Sequence, residues 1–502
     1  MASRITQSLT FHQSPGSFIF DRSQWPDSDD TTRAERIPPV VTAEILNRNV
    51  HIVSSYRLCK AILTCNETSG AREAEPSSGD ARLDGQKLPP DTFTAGPAYE
   101  QLMAAFFPPP DILLQDGKSH HESKNKWKTS FAGLIENCIP HVEILTRQAL
   151  NLQIGPFPRD RPFDLYEALK DFAWDLLLGV FLGLRRDTNK KNFGEIVSRQ
   201  EDLLRGQFSL FPVALSVPFW SSARSRGLKA VRNLGPAMRK HLNHQWERSQ
   251  QPSESGQSCP FAHGIKAGSS GLSEEEIVSH TRLFTSSIAN KALASLLTAY
   301  FMNMFLWRDS EHQHDEGSLA SLVASQADPD TRHSMLSSIL LETARLSPPV
   351  VGVMRRSMET VKLEQDMAPD ESSSHTIPAG HDAWLYFVAA NRDPSVFKDP
   401  GEFRWDRFMS GETSQDLGLA FGAGCKTCLG ADLTHQICIT VMHTLLDCGL
   451  KIEGRVEEAG VKQWLGWDRS PSPEAMARDL KQLPCQKPRR PVMVTLCRNS
   501  ME

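Results

Sequence analysis

Apolar residues recur at helical spacing over most of this chain. Residues 163–184 and 227–246 place them three and four positions apart, the repeat of a helix buried on one face. A third run opens at Ser273, where Ser-Glu-Glu-Glu supplies an N-cap hydroxyl and a glutamate three residues on, and continues to about Trp307 without Pro or Gly. At ~1.5 Å per residue it would span roughly 50 Å, enough to cross a domain. Its residues 288–305 are apolar almost all round, which predicts a buried central helix. A further helical run covers residues 433–446. Strand-like stretches are short, at 383–388 and 492–496. Residues 73–90, 250–271 and 367–375 concentrate Ser, Gly, Pro and charge and predict exposed loops. The expected class is mainly α with small β-sheets, and no internal repeat is present.

Composition narrows the function. With 39% hydrophobic and 23% charged residues over 502 positions, the chain has material for a large core and is not a disordered one. The net charge of -5 and the lack of a long Lys/Arg run argue against nucleic acid as a partner. Ten irregularly spaced cysteines point to reduced thiols. Residues 1–38 hold no apolar run near the ~20 residues of a membrane span, so no transmembrane span is expected. The expected location is cytoplasmic, or peripheral on the cytosolic side of a membrane through a loop or an amphipathic surface. We expect an N-terminal region, 1–109, of small β elements and loops, and a helix-rich catalytic region, 110–502, within one continuous domain.

The segment with the clearest chemistry is Phe421-Gly-Ala-Gly-Cys-Lys-Thr-Cys428-Leu-Gly430, followed by the 433–446 helix. It sets a cysteine between a glycine-rich loop and a helix start, where glycines allow close backbone approach to a flat ligand and amides can donate to a thiolate. Phe421, Gly424, Cys428 and Gly430 match the cysteine-loop signature of the cytochrome P-450 superfamily, which this chain resembles from about residue 110 onward. Glu342-Thr-Ala-Arg345 resembles the family's ExxR element, two side chains three apart on one helix face. Asp399-Pro-Gly-Glu-Phe403-Arg-Trp-Asp-Arg407-Phe408 resembles the segment whose arginine locks to that pair. The resemblance implies a cytochrome P-450 fold with haem b (iron protoporphyrin) buried between helices and Cys428 as metal ligand. It further implies cofactor contacts from Phe421, Gly424, Lys426 and Gly430, and from Arg355, His120 and Lys124 to the propionates. Lys124 and Lys426 stand where the family more often has Arg or His. Glu342, Arg345 and Arg407 would form the structural lock.

The resemblance implies a monooxygenase that oxidises a small lipophilic metabolite in secondary-metabolite biosynthesis. It would use dioxygen and electrons from a separate NADPH-dependent reductase, since the chain has no flavin or iron–sulfur segment. Phe284, Ser287, Ile288, Lys291 and Val351 are the expected pocket lining. The central helix departs from the family: counted back from Phe305, the positions of its acid and alcohol read Leu293 and Ala294, with Ser295 adjacent. Ser295 and Asn290 are therefore the candidate catalytic side chains. The alternatives are an isomerase, dehydratase or peroxygenase that bypasses the oxygen-activation relay, and a non-catalytic haem-binding protein. Zinc on Cys425 and Cys428 would need a second ligand pair, which the sequence does not offer at the expected distance.

Overall fold

The computed structural model describes residues 40–45, 48–65, 88–151, 157–158, 161–209, 214–249, 259–265, 271–306, 318–368, 371–409, 417–456, 480–481, 485–488 and 490–498. The chain begins with the hairpin β1 (Val40–Ile45) and β2 (Arg48–Val53), followed by α1 (Tyr56–Thr64), whose N-cap Ser55 accepts from the Leu58 amide. After β3 (Phe93–Thr94) and α2 (Gly96–Met103) come the long α3 (Gly117–Asn151), β4 (Phe163–Asp164) and α4 (Leu165–Leu182). Helix α4 starts at Asp164, which accepts from the Tyr166 and Glu167 amides, and ends at Gly183 with φ +60°. The expected helix over 163–184 is thus shortened by a two-residue strand and a glycine stop.

Helix α5 (Lys190–Gln207) leads through the tight hairpin β5 (Ser216–Val217) and β6 (Trp220–Ser221) into α6 (Ala223–Ser249), which contains the predicted 227–246 run. A short helix α7 (Pro260–Gly264) lies inside the expected loop 250–271. The predicted capping box is present: the Ser273 hydroxyl accepts from the Glu276 amide and the Glu276 carboxylate from the Ser273 amide. The central helix is not continuous, however. It is two helices, α8 (Glu274–Phe284) and α9 (Ser287–Phe301), with a π turn over Met302–Leu306. Thr285, Ser286 and Ser287 explain the break, because short hydroxyl side chains compete for the backbone. The Thr285 hydroxyl donates to the Thr281 carbonyl, and Ser286, in extended conformation, re-caps the chain by accepting from the Ala289 amide. Absence of Pro and Gly did not guarantee one helix.

Helices α10 (Leu319–Ala324) and α11 (Pro329–Leu346) precede β7 (Gly352–Ser357), the hairpin β8 (Val361–Ala368) and β9 (Glu371–Ile377), β10 (Asp382–Tyr386) and the single turn α12 (Phe387–Ala390). The polar stretch 367–375 is therefore largely strand rather than loop, in a ladder that runs from Val361↔Ile377 with a register shift between Asp366 and Ala368. The expected strand over 383–388 turns into helix at Phe387. Helix α13 (Ala431–Asp447) carries the predicted 433–446 run, and β11 (Leu450–Val456) pairs with β12 (Val492–Arg498), which in turn pairs with β4. Of the expected loop 73–90, residues 73–87 lie outside the described residues, as do residues 1–39.

Two layers result. One large apolar core packs α3, α4, α9, α11 and α13 around Trp127, Leu134, Leu169, Trp174, Leu297, Ile339 and Val441. Tyr300, fully buried, satisfies its hydroxyl on the Leu336 carbonyl at 2.9 Å. Beside it lies a five-stranded sheet in the order β1-β2-β10-β7-β3. Its parallel β2–β10 pair joins residues 50–53 to 382–385, so the N-terminal hairpin completes a sheet built from the C-terminal half.

Candidate functional site

The cysteine loop is held by its own glycines and by two lysines. Gly422 and Gly424 have φ of +73° and +68°, which a side chain would strain. A Cβ on Gly424 would also lie 2.4 Å from the Leu63 carbonyl of α1. The loop closes on itself, with the Cys428 amide donating to the Phe421 carbonyl at 2.8 Å. The Lys124 ammonium, from α3, donates to the Cys425 and Thr427 carbonyls at 2.6 Å each. Lys426 reaches back to the Gln115 carbonyl and pairs with Asp116 at 3.2 Å.

Cys428 stands three residues ahead of α13. Burial pushes its thiol pKa up, while the Gly430 amide and the Lys124 ammonium pull it down. Surrounding protein atoms desolvate the thiol, but Cys428 itself is exposed to solvent. Among the described residues no group of three His, Cys, Asp or Glu is arranged to hold a metal ion.

A cationic group gathers on the same loop. Burial drives the pKa of His120 down to about 3, reinforced by the charges of Lys426, Lys124, His121 and Arg355. Lys124 is lowered to about 8, again chiefly by burial. Asp116 is the acid that pairs with this set. Arg355, on β7, is buried and donates to the Met354 carbonyl. A buried cluster so short of negative charge suits a ligand that carries carboxylates.

Behind the loop, Glu342 is completely buried on α11 and is gripped from two sides. Arg345 donates to its two oxygens at 2.7 and 2.8 Å, Arg407 donates to both at 3.0 and 3.1 Å, and the Arg404 amide adds a bond at 3.0 Å. The guanidinium groups then spread to carbonyls: Arg345 to Asn391 and Pro400, Arg407 to Lys398 and Asp399. Asn391 carries the lock to the cysteine segment, accepting from the Leu419 amide at 2.8 Å. Three sequence-predicted residues therefore meet at one carboxylate.

The break in the central helix is clamped by a pair that sequence reasoning missed. In an unbroken helix the Arg282 carbonyl would accept from the Ser286 amide, but that amide turns to Leu283. Gln200 of α5 takes the freed carbonyl at 3.0 Å. Its neighbour Glu201 accepts from the Ser287 hydroxyl at 2.6 Å and from Lys291 at 3.0 Å. Burial opposes the Glu201 charge, but Ser287 and Lys291 outweigh it and hold the carboxyl below the usual range. Ser287 and Lys291, expected as pocket lining, thus point at α5. No local signal in Ser-Arg-Gln-Glu-Asp marks Glu201 as a partner; only the hydroxyl run 285–287 hinted at a helix interruption.

The other central-helix candidates are separated. The Asn290 amide donates to the Lys170 carbonyl of α4 at 3.0 Å, and its Oδ1 is buried without a partner among the described residues. Ser295 is buried on α9, five residues further on. Half-buried Ile288 and Ala292 lie on α9, and half-buried Phe284, at the end of α8, packs on Trp127 and Phe131. We expect Glu201→Gln to speed amide exchange across residues 283–290, measured by hydrogen exchange and mass spectrometry, with the wild type converging on the variant in acid. The sign follows from the lowered carboxyl pKa: the clamp is complete above the unfolded value and lost as pH falls through the folded one. Equal exchange in both proteins at neutral pH would remove the clamp from the account.

A mainly helical fold with a cysteine loop at a helix start, locked by a buried Glu–Arg–Arg group, defines a haem-thiolate protein. The sequence matches the family described as Cytochrome P450 over residues 103–459, and the chain belongs to the cytochrome P450 family. It is similar to cytochrome P450 137 of Mycobacterium tuberculosis, with 23% identity over 420 residues covering 82% of this chain and 77% of the relative. The fold is similar to that of the retinoic acid-bound cyanobacterial CYP120A1, with a TM-score of 0.65 and 17% identity over 98% of this chain and 96% of the other. It is also similar to HmtT, involved in himastatin biosynthesis, with a TM-score of 0.59 and 18% identity over 95% and 99% of the two chains. Members of the family bind haem and are oxidoreductases, generally monooxygenases, that use dioxygen and redox partners.

Proposed function

We propose that this chain is a haem b monooxygenase that oxidises a small lipophilic metabolite, in the biosynthesis of a secondary metabolite, with electrons from a separate NADPH-dependent reductase. The observation that carries the reading is the exposed Cys428 thiol on a glycine loop that Lys124 braces just ahead of α13. The cationic cluster fits the group as well, because buried positive charge beside that thiol suits the carboxylates of a porphyrin.

In this reading haem, bound through Cys428, supplies the oxidising chemistry at its iron, with the thiolate favouring O–O cleavage. The chain's own residues do the rest. His120 and Arg355 take the propionates. Lys124 and Lys426, already engaged with carbonyls and Asp116, fix the shape of the cysteine loop. The Gly430 amide keeps negative charge on the sulfur, Gly424 lets the loop pack on the Leu63 carbonyl, and Phe421 and Gly430 border the ring. The orphaned Oδ1 of Asn290 is a place for an ordered water, and Ser295 offers a second hydroxyl on α9 for proton transfer. The half-buried apolar side chains Phe284, Ile288 and Ala292 favour an apolar substrate.

A second reading, isomerisation, dehydration or peroxide-driven turnover, is favoured by one observation: the described residues of α9 carry no acid. Incubation of the full protein with candidate lipophilic metabolites under labelled dioxygen, with and without a reductase, decides between them. Label in the product only when the reductase is present supports oxygenation. Turnover with neither electrons nor oxygen overturns it.

A further inference from the structure

We propose that Arg282, in the last turn of α8, receives the carboxylate of a lipophilic acid, which makes a carboxylic acid the substrate class of this chain. The inference rests on the reading of the chain as an enzyme that oxidises a lipophilic metabolite, and narrows it. Four arginines are buried among the described residues: Arg282, Arg345, Arg355 and Arg407. Arg345 and Arg407 hold Glu342, and Arg355 donates to the Met354 carbonyl. Arg282 is the exception, because its Nε and Nη2 are both buried and make no hydrogen bond among the described residues. These two N–H groups form the edge of the guanidinium that binds a carboxylate through two parallel bonds. The protein uses that edge elsewhere: Arg345 places Nε and Nη2 on the two oxygens of Glu342 at 2.7 and 2.8 Å, and Arg356 places them on Asp382 at 2.9 and 3.1 Å. Arg282 presents the same fork with nothing in it. Buried donors left unmade are costly, and a ligand that satisfies them removes that cost.

The acid beside it does not fill the fork. Asp111 Oδ2 lies 3.5 Å from Arg282 Nη2, and neither atom has a hydrogen bond among the described residues. The other oxygen of Asp111 is committed to the Leu113 amide at 3.0 Å, where it caps the single turn Ile112–Leu114. Burial raises the Asp111 pKa, so this carboxyl can take up a proton when a second carboxylate arrives. His280 adds no charge of its own: burial lowers its pKa, and its Nε2 accepts from the Ile112 amide at 3.1 Å. One cation is then left for one ligand anion. Gln207 offers a further donor from α5. It lies seven positions after Gln200 on the same helix face, and its Nε2 is buried without a partner among the described residues, while Gln200 itself donates to the Arg282 carbonyl. The surroundings are aromatic. The Arg282 guanidinium lies 5.7 Å from the centre of the Phe107 ring, and Trp127 packs against both His280 and Phe284. A planar, bidentate charge bordered by rings fits a carboxylate that carries an apolar body.

The test is calorimetric titration of the full-length, haem-loaded protein with dodecanoate and with pyrenebutyrate, each beside its methyl ester. At least one acid should bind about tenfold or more tightly than its ester, and Arg282→Gln should erase the difference. Arg282→Lys should keep part of it, since an ammonium retains the charge without the fork. Asp111→Asn separates a binding role from a structural one. If Arg282 only balances Asp111, that substitution lowers stability and leaves acid affinity where it was. If Arg282 receives a carboxylate, removing the competing acid tightens the acid about tenfold and leaves its ester unchanged. Carbon monoxide difference spectra and thermal melting of the variants establish that they remain folded. The proposal fails if neither acid is preferred to its ester, if the preference survives Arg282→Gln, or if Asp111→Asn does not raise it. Because the readout is binding, turnover without oxygen or electrons would overturn the monooxygenase reading and leave this site standing.

Discussion

Glu342→Gln is expected to destabilise the protein by about 3–5 kcal/mol, because it leaves two buried guanidinium groups facing a neutral amide. Arg345 and Glu342 are completely buried and Arg407 nearly so, so solvent cannot take over the lost charge. The gross attraction in such a group is mostly cancelled by desolvation, and the large effect comes from removing one partner of a matched set. Arg345→Lys should be costly for a different reason: a lysine keeps the charge but cannot make the paired bonds to Glu342 together with those to Asn391 and Pro400. Chemical denaturation of the haem-loaded protein measures both. A midpoint for Glu342→Gln within error of the wild type would mean that the lock contributes nothing. Loss of stability should come with loss of cofactor, since Asn391 connects Arg345 to the segment that precedes the cysteine loop.

Cys428→Ser should remove the thiolate signature from the carbon monoxide difference spectrum of the reduced protein and abolish oxygen-dependent turnover. An alkoxide is a far stronger base than a thiolate, so a serine at this position would not be ionised where a metal-bound cysteine is. The loop itself should persist, because its geometry rests on Gly422, Gly424, Lys124 and Lys426 rather than on the sulfur. The variant is therefore expected to stay folded and differ in its spectrum. A variant with an unchanged thiolate band would overturn the assignment of Cys428 as the ligand.

The two predictions differ in how much of their basis is written locally. The loop around Cys428 is a run of ten residues in which the glycines and the cysteine can be read directly. The Glu342–Arg345 pair is similarly local, since three positions on a helix share a face. Arg407 lies 65 positions from Glu342 and joins it only because the chain from Asn391 to Phe408 folds back over α11. That meeting was expected from resemblance, not from spacing.

Where local rules were pressed further they gave way. The run from Ser273 was expected to be one helix since it lacks Pro and Gly, but three successive hydroxyl residues divide it. Stretch 367–375 was expected to be loop because it is polar, but much of it pairs as strand. The clamp of Gln200 and Glu201 left no trace in their neighbourhood.

By itself the sequence determined the class of the fold, the cysteine loop and the helix caps, because each depends on backbone preferences and side-chain periods that act over a few residues. Tertiary structure alone decided which helix seals the central break, how the first hairpin enters a sheet with residues more than 300 positions away, and which cations gather beside Cys428. Those contacts arise from closing long stretches of chain, and their stabilisation exists only once distant surfaces have met.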